Sequence, residues 1–239
     1  MATKSFLKLF SESIVDYQKH FPLVFKIILF SYIIPLIFFN FLGSLFSGAI
    51  SFLIFGFNET IIVSFLNLIV TIVIIKMLFL KKKKKNLSYI ETIKSASEHF
   101  IEGIILFIIY MWALFGLFLF FVIPGIVFHI YWIFSFYALI IDDVGVTKAL
   151  NHSNNVVRNR WWKVFFYYLI IEGITTIFSI ILLIPYLLVN YVFNVNSLII
   201  KSLFFYLGLG FSGFVFIPFT LIFMQKFYLD LKKYTKNIN

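Results

Sequence analysis

The most constraining feature of this sequence is a series of apolar runs about as long as a membrane is thick. A helix needs about 20 apolar residues to cross the hydrocarbon core of a bilayer. Six segments meet or approach that length: 23–43, 59–80, 101–122, 126–141, 162–189 and 198–224. Only 13% of the residues are charged, whereas soluble domains carry about 25%. The sequence therefore predicts an all-α, polytopic transmembrane helical bundle that forms a single integral membrane domain, residues 1–239.

The basic residues predict the direction of the spans. If the N-terminus is cytoplasmic, nineteen of the 20 lysines and arginines lie on the inner side, and only Lys201 lies outside. This bias is the one that orients helices in membranes. It predicts a multi-pass protein of the cell membrane with cytoplasmic N- and C-termini. Lys76, near the inner end of the second span, is predicted to extend its side chain toward the headgroups.

Each pair of spans is preceded by a polar stretch whose apolar residues have helical spacing. These apolar residues are Phe6, Leu9, Phe10, Ile14 and Tyr17, then Leu87, Ile90 and Ile93, then Val146, Leu150 and Val157. The pattern predicts three hairpins, each led by an amphipathic helix at the cytoplasmic interface. Aligning His20-Phe21, His99-Phe100 and Arg160-Trp161 places Ser13, Thr92 and Ser153 at equal offsets. An internal repeat and the ordinary amphipathicity of connectors both explain this alignment.

The shortest span follows Pro124-Gly125. Proline has no amide donor and glycine tolerates a positive φ, so this pair predicts a tight turn. Spans three and four are accordingly predicted to form a hairpin.

Two glutamates stand out because ionisable groups inside spans are costly. Glu102 and Glu172 lie near cytoplasmic span ends in matching Ile-Glu-Gly-Ile sequences. Pairing with Lys94, Arg158, Arg160 or Lys163 is the favoured interpretation, and a relay or ion site is the alternative. Asp142-Asp143 is predicted to cap a helix that begins near Val146. His129 is predicted to be a hydrogen-bonded interface residue.

The sequence offers no catalytic constellation. Cysteine is absent, which excludes thiolate metal sites and a cysteine nucleophile. Residues 210–213 read Gly-Phe-Ser-Gly, but no histidine follows the serine, so close helix packing explains them better than serine catalysis. We therefore expect no enzyme, no metal and no cofactor.

Residues 122–165 carry a recognisable pattern. Pro124-Gly125 precedes an aromatic span, Asp142-Asp143 precedes Gly145, Ser153 follows in an Ala-Leu-x-x-Ser helix, and Trp161 opens the next span. This pattern resembles the membrane domain family associated with glycerophosphoryl diester phosphodiesterases. The resemblance implies a polytopic helical domain that in some relatives is fused to a barrel-shaped phosphodiesterase. That barrel has no room here, so the resemblance implies a free-standing membrane module.

Two functions follow as expectations. The first is a non-catalytic module that engages membrane lipids or a partner membrane protein. In it, the run of five lysines would contact anionic headgroups, although the run also serves as a topology signal: Lys81, Lys82, Lys83, Lys84 and Lys85. Nucleic acid is not expected, because every basic cluster adjoins an apolar span. The alternative is a small-solute or ion transporter or channel that uses proline-interrupted helices and a polar cavity reaching Glu102 and Glu172.

Overall fold

The computed structural model describes residues 3–35, 38, 57–81, 88–192 and 198–235, without the side chains of 57–61, 192, 198–214 and 235. These residues are almost entirely helical and contain no strand, which confirms the all-α prediction. The α-helices in this part of the chain are α1 (Phe6–Ile28), α2 (Phe57–Lys81), α3 (Tyr89–Ser97), α4 (Phe100–Phe120), α5 (Val122–Trp132), α6 (Ser135–Asp142), α7 (Val146–Val157), α8 (Trp161–Leu187) and α9 (Leu198–Thr235). Short π-helical segments extend α1 and α8, over Leu29–Ile33 and Leu188–Val192.

Four helical segments in the described residues are long and apolar enough to cross a membrane. By length and composition they are Ile62–Lys81, Phe100–Phe120, Val122–Asp142 and Trp161–Tyr191. The segment predicted to span first, 23–43, lies partly outside the described residues. The last, 198–224, lies on α9, where most of its side chains are not described. Four such segments are compatible with a membrane protein, whereas the count of six spans stays a prediction.

The core lies around the C-terminal half of α9. This helix has 38 residues and is therefore about 57 Å long, well beyond the roughly 30 Å of a hydrocarbon core. Its buried residues include Phe223, Phe227 and Tyr228. Phe227 lies against Tyr167 of α8 with ring centroids 4.9 Å apart, and Phe223 lies 5.2 Å from Phe6 of α1. Helices α2 and α7 also pack against α9, and Tyr137 and Asp142 of α6 form hydrogen bonds with it, so this half of the helix is enclosed by protein.

In contrast, α4 and most of α8 expose large apolar side chains. Within an apolar stretch of 18 residues in each segment, only 17% of the residues in Phe100–Phe120 and 11% of those in Trp161–Tyr191 are buried inside the protein. On α4 the exposed side chains include Trp112 and Phe115, and on α8 they include Phe166 and Ile177. Such continuous apolar surface is compatible with a location in the lipid of a membrane.

The connection between α4 and α5 is shorter than predicted. It consists of Phe121 alone, which has extended φ and ψ, and α5 begins at Val122 rather than near residue 126. The prediction of a tight turn at Pro124-Gly125 is therefore wrong, because both residues lie in the first turn of α5. Proline is tolerated there, since the first amides of a helix have no intrahelical partner.

The segments before α4 and α8 are separate helices, as the amphipathic spacing predicts. Helix α3 begins with a capping box formed by Ser88 and Glu91, and it buries Thr92 and Ala96. The prediction placed Ile90 on its apolar face, but this side chain is 76% exposed. The first amphipathic stretch is not separate, because α1 continues through residues 20–21 without a break.

Candidate functional site

A cleft opens between α1, α2 and the C-terminal half of α9. Its volume is about 290 Å³. It is lined by Asp16, Lys19, His20, Leu78, Lys81, Ile222, Gln225, Lys226 and Leu229. Lysines and apolar residues predominate, so the cleft combines cationic groups with an apolar surface.

The positive charge of this cleft is only partly compensated. Lys226 Nζ forms an ion pair with Asp16 Oδ2 at 2.7 Å. Lys19 and Lys81 form no ion pair with any side chain in the described ranges. His20 Nδ1 lies 2.8 Å from the Asp16 carbonyl oxygen. Two lysine ammonium groups therefore remain for an anionic ligand.

Gln225 adds a buried polar group to the same cleft. The residue is 2% exposed, and its Nε2 donates to the Ile75 carbonyl at 3.4 Å. Its Oε1 accepts no hydrogen bond in the part of the chain that the structure describes. A buried polar atom without a partner is uncommon and costs free energy. A ligand or water that donates a hydrogen bond would remove this cost.

Of the lysine run predicted to contact headgroups, Lys81 lines the cleft. Lys82, Lys83, Lys84 and Lys85 lie outside the described residues. Lys81 is the last residue of α2, so the cleft lies beside the end of that helix. The sequence did not predict the part played by α1 and α9, since these helices are far from Lys81 in the chain.

The predicted role of Asp142-Asp143 as a helix cap is wrong. Helix α7 has Gly145 at its N-cap and no side-chain capping bond. Asp142 instead accepts a hydrogen bond from Tyr228 Oη at 2.6 Å and forms an ion pair with Lys232, both on α9. Asp143 ends α6 in the left-handed conformation, with φ of 53°, which aspartate tolerates better than most residues. The pair thus ends α6 and attaches it to α9.

Ser153 and Trp161, from the family-like pattern, contact the α5–α6 segment. Ser153 Oγ donates to the Tyr131 carbonyl at 2.6 Å and accepts from the Phe134 amide at 3.1 Å. Trp161 Nε1 donates to the Val127 carbonyl at 3.2 Å. Both side chains therefore form hydrogen bonds with backbone groups of α5 and of its junction with α6.

The two glutamates do not form the predicted ion pairs. Glu102 is exposed and Glu172 is half-buried, and neither carboxylate pairs with a cation in the described part of the chain. Lys163 donates to the Lys4 carbonyl at 3.0 Å, and Arg160 lies over the Tyr234 ring at 5.5 Å. Lys94 and Arg158 are exposed. Neither glutamate lines the cleft, and the transporter alternative stays a prediction.

Lys76 belongs to a polar group that the sequence did not reveal. Its side chain is buried, and its Nζ lies 3.2 Å from His99 Nε2. His99 Nε2 in turn lies 3.8 Å from Asp143 Oδ1. The prediction that Lys76 extends to the headgroups is wrong, because His99, the residue just before α4, holds its side chain inside the protein.

His129 forms the hydrogen bond that its position predicted. Its Nδ1 lies 2.8 Å from Tyr110 Oη, and its ring lies 5.3 Å from that of Tyr168. Within the described residues, no three histidine or carboxylate side chains are placed to hold a metal ion.

Comparison with known proteins returns no match: no family model, no curated protein and no solved structure matches this chain. The resemblance to the phosphodiesterase-associated membrane domain therefore stays a prediction.

Proposed function

We propose that this chain is a non-catalytic membrane module that binds the headgroup of an anionic phospholipid in the cleft between α1, α2 and α9. The observation that supports the proposal most is a pair of ammonium groups in one cleft, Lys19 and Lys81, which have no ion-pair partner among the described side chains. A phosphate is a strong acceptor for such donors. Leu78, Ile222 and Leu229 supply apolar surface for the glycerol backbone and the first methylenes of the lipid.

Gln225 supports a headgroup that carries hydrogen-bond donors. Its buried Oε1 has no donor among the described residues, and a glycerol or ethanolamine headgroup carries donors, whereas choline carries none. We therefore expect phosphatidylglycerol to bind better than a phosphatidylcholine. The five consecutive lysines of residues 81–85 would add attraction of about 1 kcal/mol per residue near an anionic surface.

The test replaces the two unpaired lysines, as Lys19→Gln with Lys81→Gln. At about 1 kcal/mol for each lysine, the double variant should bind phosphatidylglycerol about tenfold or more weakly. Binding is measured as the retention of this lipid by native mass spectrometry of the protein released from nanodiscs of mixed phosphatidylglycerol and phosphatidylcholine.

The matched control is Lys94→Gln with Lys148→Gln. It removes the same charge from exposed positions on α3 and α7 that lie outside the cleft. The control should retain the lipid as the wild type does. Equal losses in both double variants would mean that net charge alone attracts the lipid, and this result would overturn the cleft as a site.

A further inference from the structure

The start of α8 lies in a layer of charged residues. Arg160 and Lys163 flank Trp161, and Lys163 Nζ donates to the Lys4 carbonyl at 3.0 Å. The Lys4 amide donates to Asp230 Oδ2, also at 3.0 Å. Lys4 Nζ donates to Glu12 Oε1 at 2.7 Å. This charged layer marks the membrane side on which α8 begins, since such groups stay out of hydrocarbon.

The turn between α4 and α5 lies close to the same layer. The hydrogen bond from Trp161 Nε1 joins the Val127 carbonyl to the first residue of α8. Val127 is six residues after Phe121, a distance of about 9 Å along a helix. A hairpin that crossed the bilayer would place its turn about 30 Å from the start of α8. The observed hydrogen bond is not compatible with that separation.

The other end of α4 also lies in the charged layer. Helix α4 begins after His99, which contacts Lys76 and Asp143. With 21 residues, α4 is about 31 Å long, so a helix with both ends near one layer runs along the membrane. The α5–α6 segment also has both ends near the charged layer, because Asp142 at its C-terminal end contacts Tyr228 and Lys232.

The turn itself has no polar side chain. From Ala113 to Phe128 every residue is apolar, glycine or proline. Phe120, Phe121 and Ile123 are 74%, 69% and 75% exposed. Pro124 removes one of the amides that the first turn of α5 would leave without a partner. This lowers the free-energy cost of placing the turn in hydrocarbon. Apolar side chains are exposed both before and after the turn. Acyl chains can surround such a turn, whereas a partner protein would cover only one face of it, so acyl chains fit this surface better.

We propose that α4, α5 and α6 do not cross the bilayer but lie within the leaflet beside the charged layer, where phospholipid acyl chains cover the turn around Phe121. Of the six predicted spans, four then remain as crossings: 23–43, 59–80, 162–189 and 198–224. This number is even and keeps both ends of the chain on one side. Helix α4 is long and apolar enough to cross the bilayer, but the contacts at both of its ends place it in one leaflet.

The absence of cysteine allows a direct test with single-cysteine variants of the full chain. Leu119→Cys places a probe at the exposed turn. Asn155→Cys, exposed on α7, marks the charged side, and Tyr191→Cys, exposed at the far end of α8, marks the opposite side. Each variant is labelled with a nitrobenzoxadiazole fluorophore and reconstituted in phosphatidylglycerol–phosphatidylcholine vesicles. Dithionite, which does not cross the membrane, is added outside.

In vesicles oriented so that the Tyr191 probe is reduced and the Asn155 probe is protected, the Leu119 probe should also be protected. Its emission should be blue-shifted and quenched by nitroxide-labelled acyl chains. Reduction of the Leu119 probe together with the Tyr191 probe would show a crossing hairpin. A protected probe that acyl-chain nitroxides do not quench would show a partner other than lipid, such as a second copy. Either result would overturn the proposal.

Discussion

At the scale of single residues, the Ser153 hydroxyl group forms hydrogen bonds at the junction between α5 and α6. Helix α5 ends at Trp132 and α6 begins at Ser135, so backbone groups at the junction lack intrahelical partners. The buried Ser153 hydroxyl satisfies the Tyr131 carbonyl and the Phe134 amide together. Ser153 is fully buried, so the two backbone groups depend on its hydroxyl rather than on solvent.

We predict that Ser153→Ala destabilises the fold by about 1–3 kcal/mol for each backbone group left unpaired. The measurement is the midpoint of thermal unfolding in detergent, followed by the loss of monodisperse protein after heating. Ser13→Ala is the matched control, because Ser13 is equally buried but donates only to Leu9 of its own helix, at 2.7 Å. The prediction fails if both variants lower the midpoint equally.

At the scale of helices, the α4–α5 hairpin depends on one close approach. A Cβ atom added to Gly125 would lie 2.6 Å from Phe118 Cδ1 and 2.7 Å from its Cγ. Those distances are shorter than any normal contact, so the Phe118 ring would have to shift to make room for any residue larger than glycine. The Tyr110–His129 hydrogen bond holds the same two helices together further from the turn.

We predict that Gly125→Ala separates the two helices and costs about 1–3 kcal/mol, the usual cost of overpacking. Gly116→Ala is the control in the same hairpin, because nothing lies within 4 Å of its added Cβ. That variant should be neutral or more stable by up to about 1 kcal/mol, since alanine favours helices more than glycine does. The measurement is again thermal unfolding in detergent, and equal effects of both substitutions would contradict the prediction.

The existence of helices could be predicted from the sequence better than their ends and contacts. Apolar runs and amphipathic spacing predicted α2, α4, α7 and α8. The turn at Phe121 could not be predicted, because an extended phenylalanine between two apolar helices leaves no compositional signal. The cleft was also beyond sequence reasoning, because Asp16 and Lys226 are far apart in the chain and meet only through helix packing. Only Lys81, which belongs to a run of like charges, could be recognised beforehand.

At the scale of the whole molecule, the C-terminal half of α9 connects the other helices by polar contacts. Tyr228 and Lys232 contact Asp142 of α6, and Lys226 contacts Asp16 of α1. Burial, and then the hydrogen bond to the Asp142 carboxylate, raises the pKa of Tyr228 above its ordinary value of 10. Tyr228 therefore stays protonated in the folded protein at pH values where the unfolded chain ionises.

We predict that Tyr228→Phe lowers stability by about 1–3 kcal/mol, because it removes a hydrogen bond to a charged group. Because the pKa of Tyr228 is higher in the folded than in the unfolded protein, its contribution to the free energy of unfolding is complete below pH 10. This contribution is lost as the pH rises above that value. The difference between wild type and variant should therefore be constant near neutral pH and shrink above pH 10. Tyr191→Phe, at an exposed position, is the control. A difference that stays constant across this pH range would contradict the assigned cause.

The contact between Lys4 and Asp230 also constrains synthesis. These residues are 226 positions apart, so the first residues leave the ribosome long before their partner. At about 5–20 residues per second, the delay is on the order of ten seconds or more. During this time α9 does not yet cover the amphipathic face of α1. We expect α1 to stay at the membrane surface until α9 has been made. The N-terminal helix is thus among the first parts made and the last to reach its final contacts.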